Sequence, residues 1–263
     1  MAYLRDQVVV LKKSPYREYD RRYIMYGRRY GLLIAVARGV SRVKSKQASA
    51  LEVFNFADIM IAQGKKYNHL AVATRDKQRV HLKTLSASFV AGSFSDFSLR
   101  LLQTHLADSR IYDLWYDLLS YLTDLDQELT TERAQFLFSI VVIKFLSLLG
   151  YVPNLQQCAS CGIVFNKHDL KKEVFFSKNN HNIFCSSCFN NSFNYLKLQG
   201  QVLILFKYIQ QERSLIKILR LTLEKQLWQD FINLTQELWS ILPLNNEPHG
   251  LKTLQFFLSK NKQ

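Results

Sequence analysis

Residues 21–37 read RRYIMYGRRYGLLIAVA: two short runs of aromatic and β-branched residues, Arg22–Tyr26 and Leu32–Ala37, with Gly27 and Gly31 between them. Runs of this kind bounded by turn residues read as strands. The pattern extends in both directions. Gln7–Leu11 precedes it, and Val53–Ile61, Leu70–Arg75 and Arg79–Thr84 follow, with Gly39 and Gly64 in the intervening stretches. Five or six short strands in so short a span suit a small closed barrel, because closure removes exposed edges. The OB-fold is the usual barrel of this size, and an SH3-like barrel fits the pattern nearly as well.

From about Ala91 the apolar period lengthens. Ser95–Ala107, Ile111–Leu122 and Thr131–Leu149 carry apolar residues at three- and four-residue spacings, and Gly150 and Pro153 stop the third run. Phe136, Leu137, Ile140, Val141, Phe145 and Leu148 surround the third run with apolar side chains, as expected of the central helix of a bundle. Helical spacing returns over Phe193–Gln211, Ser214–Leu242 and Leu251–Ser259. The expectation is an α+β chain: an OB-fold barrel over residues 1–84, then a helical domain over 85–263 with a module inserted at about 154–192.

All four cysteines fall in that module. Cys158-Ala-Ser-Cys161 and Cys185-Ser-Ser-Cys188 are two C-x-x-C pairs separated by 23 residues, near the spacing of a zinc ribbon. Two residues between thiolates let one turn offer both sulfurs to a single ion, and four sulfurs complete a tetrahedral shell with no open position, so the expected Zn²⁺ is structural. The opening Met1-Ala2-Tyr3-Leu4-Arg5-Asp6 has no apolar signal core, and the longest apolar run, Phe136 to Leu149, is interrupted by Lys144. A cytoplasmic protein with no membrane partner is expected, which disfavours two disulfides; the absence of a βαβ context disfavours a thioredoxin-like pair. His168 and His181 lie inside the module and read as ordinary loop histidines beside four available thiolates.

The formal net charge is +14, and its distribution is informative. Residues 1–84 hold 18 Lys/Arg against 6 Asp/Glu, while the remaining residues hold 17 against 15. A polyanion-binding barrel joined to a nearly neutral body follows. Within the barrel, Lys12, Lys13, Arg17, Arg21, Arg22, Arg28 and Arg29 interleave with Tyr16, Tyr19, Tyr23, Tyr26 and Tyr30, and a second cluster holds Arg38, Arg42, Lys44 and Lys46. Guanidinium and ammonium groups neutralise phosphates, and tyrosine faces stack on unpaired bases whatever their identity, so the pattern suits single-stranded nucleic acid. Some of those tyrosines belong to the barrel core. No phosphate-binding Walker loop, nucleophile elbow or Rossmann glycine pattern occurs, and the tight acid cluster Asp124-Leu-Asp126-Gln-Glu128 lies beside a helix start, where acids are stabilising without catalysis. A binding protein is expected, not an enzyme.

The order of these parts resembles the bacterial recombination mediator family RecO. Tyr30-Gly31-Leu-Leu-Ile-Ala-Val-Ala-Arg38-Gly39-Val-Ser-Arg42-Val-Lys44-Ser45-Lys46 is similar to a glycine-flanked basic segment of that family. Leu149-Gly150-Tyr-Val-Pro153-Asn-Leu155-Gln-Gln-Cys158-Ala-Ser-Cys161-Gly162 is similar to its approach to the zinc module, and the likeness runs through the terminal His249–Phe257 segment. One departure is Asn180-His181-Asn182, where the family commonly has a glycine pair; asparagine enters the left-handed region more readily than most residues. The resemblance implies an OB-fold that binds single- and double-stranded DNA and anneals strands. It also implies a complex with RecR that loads RecA onto DNA covered by single-strand-binding protein, whose acidic, apolar C-terminal tail the helical domain holds. Arg100, Arg110, Arg133 and Lys144 are basic candidates for that tail, Lys144 being equally suited to snorkel from its core helix. An RNA-associated zinc-ribbon factor is the alternative, since phosphates and base faces do not distinguish sugars; a nuclease ranks third.

Overall fold

The computed structural model describes residues 3–65, 67–77, 80–104, 106–165, 172–189 and 194–239. They form two compact units, divided in sequence between Thr130 and Thr131.

In the first unit, β1 (Tyr3–Pro15), β2 (Arg21–Gly27), β3 (Gly31–Ala37), β4 (Phe56–Ala62) and β5 (Asn68–Arg75) close into an OB-like barrel in the order β1-β2-β3-β5-β4. Every pairing is antiparallel except β3 with β5, which meet in parallel only at Ala35↔Asn68 and Val36↔His69. Closure depends on the long β1. Its first half pairs with β4, its second half with β2, and a register shift between Val10 and Lys12 bends the strand between the two jobs. Alternate residues point inward, so Val8, Val10, Met25, Leu33, Ile59 and Ile61 fill the barrel, and a short 3₁₀ turn at Ala48–Leu51 plugs it with Ala50 and Leu51.

The β2–β3 turn is built around one carboxylate. Asp6 is buried and accepts the N–H groups of Gln7 at 2.8 Å, Arg29 at 3.1 Å and Tyr30 at 3.0 Å. Gly27 leaves it room: a Cβ there would stand 2.2 Å from Asp6 Oδ2. Gly31 closes the turn at φ +65°, a backbone setting that side chains resist. Burial outweighs the three N–H donors and raises the Asp6 pKa.

Two sequence expectations change in this unit. The strand expected at Arg79–Thr84 does not form among its described residues; Thr84 instead caps α1 (Leu85–Leu101), its hydroxyl accepting the Ala87 N–H at 3.2 Å. The helix therefore starts ten residues before the expected Ser95. Buried serines had blurred the apolar period: Ser86, Ser93, Ser95 and Ser98 face inward, with Ser95 Oγ donating to Leu11 O at 3.0 Å. Likewise β4 begins at Phe56 rather than Val53, because Phe54 turns the chain at φ +72°. Helix α2 (Ser109–Thr123), capped by Asp108, then packs Tyr112 and Tyr116 against Phe56, with ring centroids 5.7 and 5.3 Å apart.

The second unit is organised by α3 (Thr131–Leu148), buried without interruption from Ala134 to Ile143 as a central helix requires. Around it lie α4 (Gln201–Gln211), α5 (Leu215–Leu219) and α6 (Lys225–Trp239). The run expected as one helix from Ser214 breaks between Arg220 and Glu224. The run expected from Phe193 supplies first a strand, β8 (Tyr195–Gln199), which joins β6 (Glu173–Ser177) and β7 (Ile183–Cys185) in a sheet of order β7-β6-β8. The Leu251–Ser259 helix lies outside the described residues.

Candidate metal centre and nucleic-acid interface

The sheet of the second unit carries one cysteine pair and anchors the other. Cys158 sits in a tight loop closed by a Gln157↔Val164 bridge, with Cys158 N–H donating to Ile163 O and Gly162 N–H to Cys158 O, both at 2.9 Å. Ala159 N–H donates to Ile183 O at 2.9 Å, tying that loop to β7, whose last residue is Cys185. The turn after β7 brings Cys188 back, its N–H donating to Cys185 O at 3.1 Å.

All four Sγ atoms consequently lie within 4.8 Å of one another, and all four thiols are free. A tetrahedral ion with bonds of about 2.3 Å spaces its sulfurs about 3.8 Å apart. Cys161 Sγ and Cys185 Sγ are separated by 3.8 Å. The cluster therefore fits one metal ion, and it is the only such group of ligands among the described residues. Burial opposes ionisation of Cys158, but the N–H groups of Cys161, Cys185 and Ser160 outweigh it and bring its pKa to about 6. Cys188 has a Ser160 hydrogen bond favouring its thiolate, yet the neighbouring thiols prevail and push it to about 12. Four sulfurs so close cannot all carry charge unless a cation joins them. His181 is not a ligand. It occupies the left-handed region at φ +57° in the β6–β7 turn, the place where asparagine was expected to do so.

The acid cluster has a structural use. Glu128 accepts the N–H groups of Leu85 and Ser86 at 2.8 and 2.9 Å, satisfying the start of α1, and Asp126 pairs with Lys83 at 2.6 Å. Basic side chains of the helical region are similarly engaged. Arg133 donates to the carbonyls of Leu219 and Leu221, and Lys144 to those of Gln210 and Glu212, so both cap helix ends. Lys144 thus tethers α3 to the end of α4 instead of snorkelling to water, and burial lowers its pKa. Arg110 pairs with Asp108 at 2.7 Å.

The cations of the barrel separate into two groups. At one end, the β1–β2 turn and the loop after β3 are tied together: Gly39 N–H donates to Asp20 Oδ1 at 2.8 Å, and Ser41 N–H to Tyr19 O at 3.0 Å. This rim gathers Lys12, Arg17, Arg22, Arg38, Arg42, Lys44 and Lys46, all exposed. Two other candidates here have internal partners: Lys13 pairs with Glu52, and Arg21 donates to the carbonyls of Arg17, Glu18 and Asp20. Aromatic rings interleave with the free cations. Arg17 lies over Tyr16 at 5.6 Å and Arg42 over Tyr19 at 5.3 Å; Tyr16 meets Tyr67 edge-on at 5.7 Å, and Tyr67 meets His69 at 5.0 Å. Arg38 Nη2 lies 3.3 Å from His69 Nε2. The sequence reading missed Tyr67 and His69. The available signal was Tyr67 following Lys65 and Lys66 in the β4–β5 connection, the second loop that OB-folds place over the strand 2–3 face. At the opposite end, on the β2–β3 turn, lie Arg28 and Arg29. Arg28 pairs with Asp113 at 3.3 Å and covers the Tyr112 ring at 5.7 Å.

Two family models divide the chain much as its content does: recombination protein O N terminal over residues 1–79 and recombination protein O C terminal over residues 82–239. The chain belongs to the RecO family. The DNA repair protein RecO of Caldanaerobacter subterraneus subsp. tengcongensis is 30% identical over 189 residues, 72% of each chain. Those of Thermoanaerobacter sp. strain X514 and Dehalococcoides mccartyi are 28% identical over 79% of this chain and 80% of the relative, and 24% identical over 85% and 84%. RecO proteins carry the name of DNA repair proteins, and no helix of the described residues is long and apolar enough to cross a membrane.

Proposed function

We propose that this RecO chain is a recombination mediator that binds and anneals single-stranded DNA, and that with RecR it loads RecA onto strands covered by single-strand-binding protein. Residues 1–84 are the nucleic-acid-binding domain, residues 85–263 the domain that meets protein partners, and the site of action is the cytoplasm. The chain is not an enzyme in this reading: the acids that might have held a catalytic metal are occupied at the start of α1. The cysteine cluster holds one Zn²⁺, since four thiolates at tetrahedral spacing are a closed, soft donor set. Its role is to order the module. The supporting observation for DNA is the loop rim, where Tyr16, Tyr19, Tyr67 and His69 alternate with Arg17, Arg38 and Arg42 on the side that OB-folds use for oligonucleotides.

The test is binding of a labelled single strand across a salt series, comparing wild type with Arg38→Ala/Arg42→Ala/Lys44→Ala. Weaker binding and a log–log salt slope shallower by about 3, one for each lost phosphate contact, are expected. An unchanged slope would remove the rim from the DNA site.

A further inference from the structure

The two cation groups of the barrel are not parts of one surface. On the outer face of β1, β2 and β3, the register places Lys12 beside Ile24 and Ile34, and Ser14 beside Arg22 and Val36. On the outer face of β1, β4 and β5, it places Arg5 beside Met60 and Val72, and Gln7 beside Asp58 and Thr74. Between them along β1, Val9 is fully buried, and its neighbour Phe56 lies under Tyr112 and Tyr116 of α2. A strand lying on one face cannot continue along β1 to the other.

The second face is a groove of about 830 Å³, walled by Arg28 and Arg29 of the β2–β3 turn. Arg5 and Arg29 are exposed, and neither guanidinium has a hydrogen-bonded acid or carbonyl partner among the described residues. Three carboxylates are near. Asp6 is buried with its oxygens committed to the turn's N–H groups, Asp113 is matched by Arg28, and Asp58 is exposed on the floor between Gln7 and Thr74. The floor thus offers Gln7, Asp58 and Thr74 as acceptors and donors for base edges, and Met60 and the 41% exposed Val72 for base faces. Tyr3, 58% exposed, is two residues from Arg5 on the same face of β1. Cations at the border with polar and apolar groups on the floor fit a strand whose bases are unpaired, rather than a duplex.

We infer that the β1–β4–β5 groove holds a second single strand while the loop rim holds the first, so one barrel carries both partners of an annealing reaction. The inference rests on the rim being a DNA site, and Arg28 and Arg29 move from that site to this one.

The experiment uses the full chain and a non-self-complementary oligothymidylate of about eight nucleotides, within the site size of one OB-fold. Native mass spectrometry at low salt counts strands per chain, and thermal melting checks each variant's fold. Wild type is expected to take two oligonucleotides, Arg5→Ala/Arg29→Ala one, and Arg5→Lys/Arg29→Lys two. Annealing of complementary strands should slow in the alanine variant while the affinity of the first strand is unchanged. A wild type that saturates at one strand, or an alanine variant that still takes two, overturns the second site. The first of those results, with the one strand lost in Arg38→Ala/Arg42→Ala/Lys44→Ala, would leave the proposed function standing. A single strand insensitive to that triple variant would overturn both readings.

Discussion

The barrel and the cysteine module are ordered by different physics. The barrel closes on itself, so each strand is paired on both sides and alternate side chains share one interior that leaves Val8, Val10 and Met25 with no exposed surface. The module has strands of three to five residues, open sheet edges at β7 and β8, and a first knuckle whose Ile163 and Val164 are more than half exposed. Apolar burial alone can hold the first; the second relies on sulfur atoms brought to one point. The lesson concerns where function tolerates change. Surface cations of the barrel can be exchanged without losing the fold, whereas in the module the ligands are the fold.

The largest expected effect separates these two directly. Removing the metal with a chelator, or substituting Cys185→Ser, should unfold the module, because metal binding by four thiolates contributes an apparent 10–16 kcal/mol, roughly, in isolated zinc-finger peptides. Hydrogen exchange would show protection lost over β6, β7 and the two knuckles and retained in β1–β5, with single-strand affinity nearly unchanged. Loss of barrel protection together with the module would contradict the division.

Next in size is the converse. Met25→Ala, at a fully buried barrel position, should cost about 2–5 kcal/mol by leaving a cavity, lowering the barrel's denaturation midpoint without altering the metal-to-protein ratio. Coupled loss of metal would show that the module depends on the barrel.

The smallest effect concerns a cap. Hydrogen bonds from Ser86 and from the N–H groups of Ser86 and Leu85 lower the Glu128 pKa below its ordinary value of 4.5. A carboxylate with a depressed folded pKa contributes stability that is fully present above the unfolded value and disappears as pH falls through the folded one. Glu128→Gln should therefore melt below wild type at neutral pH, with the gap closing on acidification; a gap independent of pH would assign the effect to packing.

Much of this arrangement was legible locally. Strand β3 and helix α2 match their expected ranges within a few residues because their apolar spacing follows one period without interruption. The cysteine spacing sufficed for the metal cluster, since two short turns present the ligands with little help from elsewhere. Helix α1 was misread where serines replaced apolar residues on its inward face, as their burial depends on partners such as Leu11 O, 84 positions away. The split of Ser214–Leu242 into two helices was equally hidden, because Arg133, from a different helix, takes up the carbonyls at Leu219 and Leu221.

The sequence by itself determined the small barrel, the helical second half, the four ligands and the excess of positive charge, all of which rest on residue type and on spacings of a few positions. Tertiary structure alone decided which cations share a surface. Arg22 and Arg28 are six residues apart yet lie toward opposite ends of β2, while Tyr16, Tyr67 and His69 come from distant segments and meet in one ring cluster. A strand carries its side chains steadily away from their neighbours in sequence, and only barrel closure brings separate strands back together.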